Sequence, residues 1–402
     1  MTPSTVTEPS PAPGVLSVLT ARDWRLFGLC AAATVAAGVL DVVPAGTVVP
    51  FVVAAVALAL LASLVGHAVD ALGDRLGAGA TGVVQSALGN LPELFVCIFA
   101  LKAGLYDVVR AALVGSVLAN VLLVLGLAFV VGGLKHGTQR FGKGRARTIS
   151  LMLVLAVFAW LIPSLTAALH TPAAGHEWGL SVVTAFLLLG LFGLSLPAAV
   201  GRGEAAEADG VPAGSAEASA EAAAQAPAPA GHTVRHDPAS TAAADAEHVS
   251  QWPLALAIGV LAVAGVGAAF VSEWFVAALE PAMDAVGLSE AFAGLVVVAI
   301  AGNAVENVVG IQLAARNQAD YALSVILQSP LQIALVLAPV LVLVAPLVGA
   351  TFTLVLSPLL IVALLLAALV SVLVVNDGES TWFEGATLLV LYVLIAASFW
   401  WG

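Results

Sequence analysis

The chain has 402 residues, of which 61% are hydrophobic and 9% charged, against about 25% charged in an ordinary soluble domain. So few charges cannot cover the surface of a water-soluble protein of this size, and the composition predicts lipid as the solvent for the apolar surface. The formal net charge of −12 comes largely from eight acids between Gly201 and Ser250, and no basic face of the kind nucleic acid requires is present.

In chain order, residues 1–23 are Pro/Ser/Thr-rich, lack the basic start of a secretory signal and predict a disordered tail. A leading helix follows over 24–42, cut short by Asp41 and Pro44. Apolar runs then predict spans over 47–77, 80–103, 106–133, 147–168 and 178–199, which form a first repeat half over 47–199. Residues 201–250 are Ala/Glu/Pro/Gly-rich without apolar periodicity and predict a cytoplasmic linker with no packed core. Five more spans, over 252–285, 288–316, 319–347, 350–375 and 381–401, form a second half over 252–401. The fold class expected is therefore all-α, a polytopic membrane protein of about 11 transmembrane helices. Cys30 and Cys97 sit in apolar runs with neither disulfide nor metal-site spacing.

Lys135, Arg140, Lys143, Arg145 and Arg147 crowd the loop after the fourth span, which places that loop and the N-terminus in the cytoplasm. Ala, Val, Leu and Gly stand in for Lys and Ile throughout, the usage of a GC-rich bacterial genome, so the expected location is a bacterial cell membrane.

One motif occurs twice. Gly89-Asn90-Leu91-Pro92-Glu93 returns as Gly302-Asn303-Ala304-Val305-Glu306, 213 residues later. At the same offset Asp107 meets Asp320 and Ser116 meets Ser329. Asp70-Ala71-Leu72-Gly73 resembles Asp284-Ala285-Val286-Gly287, one residue out of register. The copies are five spans apart, and an odd number of crossings inverts the second copy relative to the first. Two inverted five-helix repeats after one leading helix are an architecture of secondary transporters, with the ion site at the repeat interface.

Glu93 and Glu306 fall near the middle of their spans, where a charged side chain costs about 2.5–3.5 kcal/mol on translocon scales. Lys102 and Arg316 lie only near the ends of those spans, so the counter-charge must come from outside the protein. Two facing carboxylates suit a hard divalent cation. With the cation gone, their mutual repulsion favours protons in its place, and that exchange is antiport. Gly89, Pro92 and Gly302 weaken the helices beside the acids and free carbonyls for a cation. Asn90 and Asn303 lie one turn before their Glu, and Ser116, Asn120, Ser329 and Gln332 add neutral oxygens at helical spacing. A role as glue between helices accounts for Asn120 and Gln332 equally well, but not for two symmetric carboxylates. Asp70, Glu273 and Glu280, in the spans preceding each motif, are candidates for an access or proton path, or for a water-facing surface. His67 is one turn from Asp70 and reads as a packed histidine.

The stretches Gly89 to Asn120 and Gly302 to Leu335 resemble the first and second α-repeats of the Ca2+/H+ exchangers of the calcium/cation antiporter superfamily. Trp382-Phe383-Glu384-Gly385, followed by an apolar run, is similar to that family's ending. The resemblance implies Ca2+ as transported substrate held by Glu93 and Glu306, protons as counter-ion, no cofactor, and the spans carrying Asp70 and Glu273 as gates. Two departures stand out. The family's second repeat usually has His directly after its Glu, whereas this chain has Asn307, and the family's Gly-Ser-Ser becomes Gln328-Ser329-Pro330. The alternative these departures leave is a Na+-coupled or monovalent cation exchanger of the same fold. A channel normally assembles its ring from several subunits, and neither a His-Glu-x-x-His nor a Gly-x-Ser-x-Gly motif is present to make an intramembrane enzyme. The sequence leaves a homo-oligomer open.

Overall fold

The computed structural model describes residues 18–43, 45–208 and 252–401, except the side chains at 74–87, 143, 145, 196–208, 305 and 306. Most of the predicted tail and of the linker, residues 1–17 and 209–251, thus lies outside the described residues.

Helix α1 (Ala21–Val42) starts three residues before its predicted position because Thr20 and Asp23 form a reciprocal capping box. Helix α2 (Val48–Leu88) then runs for 41 residues, straight through the boundary expected near 78–79. Isolated glycines there cost only about 1 kcal/mol each in a helix, and no proline intervenes before Pro92. The chain breaks instead at Gly89–Asn90 and resumes as α3 (Leu91–Lys102). Helix α4 (Tyr106–Leu118), a π-helical turn (Ala119–Val124) and α5 (Leu125–His136) form one continuous apolar span. Helices α6 (Lys143–Ala168) and α7 (Glu177–Ala208) complete the first half.

The second half repeats the plan. Helix α8 (Leu254–Val286) leads to α9 (Glu290–Gly302), which contains a π-helical stretch at Ala293–Val298. After the break at Asn303 come α10 (Ala304–Ala315) and α11 (Ala319–Gln332). A second π-helical turn (Ile333–Leu337) joins α11 to α12 (Ala338–Val344), and α13 (Pro358–Val375) and α14 (Trp382–Ser398) follow. Shifting Leu91–Lys102 by 213 residues gives Ala304–Ala315, the bounds of α10. The π-helical turns after α4 and α11 match at the same offset to within one residue at each end.

Eight helices of the described residues are long and apolar enough to cross a membrane. They become nine if α9 and Asn307–Ala315, bent 63° from each other, form one span. Of the other predicted spans, 80–103 runs partly over undescribed side chains, and 381–401 contains an apolar helix of 17 residues. The chain is an all-α multi-pass membrane protein; among the described residues one small sheet pairs Gln139–Arg140 antiparallel with Glu379–Ser380.

The span predicted over 350–375 is corrected to Pro358–Val375, because residues 351–357 form no helix. Pro358 fits the first turn of a helix but not its interior, so the helix starts there. Two serines bond the backbone of this irregular segment. Ser164 Oγ donates to the Leu354 carbonyl at 3.0 Å and accepts the Leu356 N–H at 2.9 Å, and Ser181 Oγ accepts the Leu354 N–H at 3.0 Å. Ser164→Ala strands two buried backbone groups at about 1–3 kcal/mol each. We expect the largest drop in detergent melting temperature among serine-to-alanine changes on α6, with Ser150→Ala, whose hydroxyl lacks a partner, near neutral.

Helix α2 packs along α8, and α4 crosses the π-helical stretch of α9 backbone to backbone. A Cβ at Gly115 would run into the backbone of Leu295, and one at Gly294 into the Val108 carbonyl. Small residues at such crossings let helices approach closely where lipid supplies no hydrophobic drive between them. These crossings hold the two helix breaks against each other.

Candidate cation site

The two Gly-Asn breaks meet at the repeat interface. Asn90 and Asn303 take the same position, the cap residue before α3 and α10, with nearly equal backbone angles (φ −94°, ψ 17° and φ −107°, ψ 17°). Glu93 lies in the first turn of α3, where the helix N-terminus stabilises a carboxylate. Gly302, at the opposite break, brings its Cα against this side chain, since a Cβ there would be 3.4 Å from Glu93 Cβ and Cγ. Helix α9 thus ends its free carbonyls beside the start of α3.

The side chains form a network across both repeats. Ser116 Oγ on α4 donates to Glu93 Oε1 at 2.5 Å. Asn303 Nδ2 donates to Ser116 Oγ at 3.0 Å, to the Ala299 carbonyl at 3.1 Å and, at 3.5 Å, towards Glu93 Oε2. Ser329 Oγ donates to Asn303 Oδ1 at 3.3 Å. Asn120 Nδ2, on the π-helical turn, donates to the Ser116 carbonyl at 2.9 Å and to Ser329 Oγ at 3.3 Å. Asn90 Nδ2 donates to Gln332 Oε1 at 3.3 Å. Each asparagine of a break therefore reaches the second helix after the other break, Asn90 to α11 and Asn303 to α4. Glu93 is 1% exposed, Ser116 and Asn120 0%, and Asn303 and Ser329 2%.

Seven of the eight ligand residues expected from the sequence are thus buried together. The eighth, Glu306, lies on α10, and its side chain is outside the described residues. Among the described residues no three of His, Cys, Asp and Glu converge. The donors at hand are a carboxylate plus neutral amide and hydroxyl oxygens, a set that suits a hard cation. The Ser116 carbonyl can only accept, which fixes the Asn120 amide with Nδ2 towards it and leaves Asn120 Oδ1 buried without a partner among the described residues.

The candidate path acids stand elsewhere. Asp70 lies on an exposed face of α2, Glu280 is exposed on α8, and Glu273 is half-exposed with its carboxylate 3.9 Å from Lys102 Nζ. His67 is exposed on α2, Nδ1 2.8 Å from the Ser63 carbonyl. The matched Asp107 and Asp320 are helix-start acids with structural partners, Arg110 Nη1 at 2.8 Å and the Gly142 N–H respectively.

Three residues that the ligand reading passed over support the site. Gln139 Nε2 donates to the Ala314 carbonyl and to Asn317 Oδ1, both at 3.0 Å. Together with Lys135 and His136 at the Ala315 carbonyl, it ties down the end of α10. Trp160 Nε1 donates to the Ala334 carbonyl at 3.1 Å, inside the second π-helical turn. Asn307 is buried one turn after Asn303.

This geometry has relatives. A Ca(2+)/H(+) antiporter from Synechocystis is 35% identical over 357 residues, covering 88% of this chain and 91% of that protein. The Ca(2+)/H(+) antiporter ChaA of Bacillus subtilis is 33% identical over 377 residues, covering 93% and 99%. The solved structure of native YfkE superposes with a TM-score of 0.73 at 31% identity, over 93% of this chain and 99% of that one. The H+/Ca2+ exchanger CAX shares the fold, with a TM-score of 0.66 at 14% identity over 94% of this chain and 92% of that one. The sodium/calcium exchanger protein family matches residues 46–200 and 256–401, which cover both repeat halves, and the chain belongs to that family.

Proposed function

We propose that this protein is a secondary antiporter that exchanges Ca2+ for H+ by alternating access, with Glu93 and Glu306 as the charged ligands. The observation that carries the reading is Glu93, a buried carboxylate among neutral oxygens where the inverted breaks meet. Two relatives covered almost end to end bear the name Ca(2+)/H(+) antiporter, which supports the choice of ions. Asn90, Asn303, Ser116, Asn120, Ser329 and Gln332 supply neutral oxygens. Ca2+ replaces the serine and asparagine donors on Glu93 and draws in free oxygens such as Asn120 Oδ1. Protons take its place when it leaves, because desolvation of the buried Glu93 carboxylate favours its neutral form once the cation is gone.

In this reading α2 and α8 are the gates, with Asp70, Glu273 and Glu280 on the access side, and the basic loop of Lys135 and Arg140 marks the cytoplasmic face together with the N-terminus. The membrane is that of a bacterial cell.

The test is Ca2+ binding to purified protein as a function of pH. Apparent affinity should fall as pH is lowered, since protons and Ca2+ compete for the same carboxylates, and binding in weak buffer should release protons. An affinity independent of pH, with no proton release, overturns the coupling. Residues 201–250 are expected to be dispensable, since their composition cannot form a packed core. A folded deletion variant should retain at least about half of the wild-type Ca2+ flux in liposomes, and complete loss would contradict this.

A further inference from the structure

Asn307 breaks the symmetry of the site. Its mate at the 213-residue offset is Leu94, a partly buried residue packed against the apolar core. Asn307 itself is only 9% exposed, and its Oδ1 has no hydrogen-bond partner among the described residues. A buried amide oxygen without a donor carries a desolvation cost that an apolar residue at the same place would avoid. Its N–H bonds to the Asn303 carbonyl at 3.1 Å, one helical turn back, so the two asparagines share a face of α10. Asn303 on that face holds Ser116 and approaches Glu93. Helix α10 also packs against the π-helical turn that carries Asn120, the other amide whose Oδ1 is buried without a partner. The offset along α10 is about 6 Å, four residues at 1.5 Å each. It leads away from the break and towards the end of α10 held by Lys135, His136 and Gln139.

We propose that Asn307 Oδ1 is an oxygen ligand for the transported cation, supplied by the second repeat alone and set on the basic-loop side of the buried centre. An ion leaving the centre towards that loop meets an amide oxygen, whereas an ion leaving past the first repeat meets Leu94. The two exits therefore differ in ion affinity although the repeats are related by symmetry. This inference rests on the reading of Glu93 and its partners as a cation site.

The experiment is calorimetric titration of purified Asn307→Leu and Asn307→Asp with Ca2+ and, separately, Na+, together with the melting temperature of each protein free of ions. Leucine matches the side chain of the first repeat and shares the branching of asparagine at Cγ. For Asn307→Leu the expected result is Ca2+ affinity lowered about tenfold, the loss of about 1.4 kcal/mol of binding, with an ion-free melting temperature equal to or above wild type. For Asn307→Asp at pH 8 the expected result is tighter Ca2+ binding. Ca2+ affinity within about twofold of wild type in both variants overturns the proposal. So does a lowered ion-free melting temperature in Asn307→Leu, which marks a packing role. If Asn307→Leu fails to fold, weaker or unchanged binding by Asn307→Asp overturns it. A wild-type protein that binds Na+ and not Ca2+ sinks the Ca2+ reading instead, and the Na+ titrations of the same variants then decide the role of Asn307.

Discussion

Glu93→Gln is expected to reduce Ca2+ movement by at least about 100-fold while the protein still inserts and folds. The substitution keeps the shape of the side chain and an Oε1 to accept the 2.5 Å hydrogen bond from Ser116. It removes the charge and turns Oε2, towards which Asn303 Nδ2 points, into an amide donor. A cation held in a buried site by a carboxylate is a buried ion pair, and deleting one partner of such a pair costs about 3–5 kcal/mol. At about 1.4 kcal/mol per tenfold, that is a loss of two to three orders of magnitude. Glu306→Gln carries the same expectation from its matching place in the repeat. The measurement is Ca2+ flux in liposomes, read beside size-exclusion profiles and melting temperatures. Near-normal flux in a well-folded Glu93→Gln protein would remove the carboxylate from the mechanism.

The largest structural effect is expected at Gly115. Helix α4 lies so close to the π-helical stretch of α9 that a single methyl at Gly115 meets the carbonyl, Cα and carbonyl carbon of Leu295. Side chains can rotate away from such a clash, but backbone atoms move only if the whole helix moves. Overpacking in a core costs about 1–3 kcal/mol, and Gly115→Ala should reach the upper end of that range or exceed it. Gly115→Leu should abolish the folded, monodisperse species. The contrast is Gly259→Ala on α8, where an added Cβ meets nothing within 4 Å. There the change removes the backbone-entropy cost of glycine in a helix, about 0.5–1 kcal/mol, and the melting temperature should hold or rise. Equal melting temperatures for Gly115→Ala and Gly259→Ala would contradict the close crossing.

Much of the site was legible in the sequence because a pattern occurring twice in order is hard to produce by chance. The matched Gly-Asn pairs and Ser116 with Ser329 mark the two breaks and the second helix after each, and seven of the candidate residues are buried. Other features leave no such trace. The π-helical turns after α4 and α11 have no residue signature, since they are widened helix in ordinary apolar sequence. The continuity of α2 past residue 78 is hidden by the charges and glycines that interrupt the apolar run at 74–79, whereas the proline-bearing break lies eleven residues further on. The close crossing at Gly115 is not legible either, because it requires a partner helix that the sequence does not name. Asn307 stood out as a departure from the family pattern, but the lack of a donor for its oxygen is a three-dimensional fact.

The most direct test of the exchanger account is to follow 45Ca2+ and internal pH together in liposomes holding the purified protein, with no Na+ present. An imposed pH gradient should drive Ca2+ against its own gradient. Conversely, an imposed Ca2+ gradient should move protons the opposite way, with both signals lost in Glu93→Gln. Ca2+ movement that leaves internal pH unchanged, and that starts only when Na+ is added to the opposite side, would contradict the account.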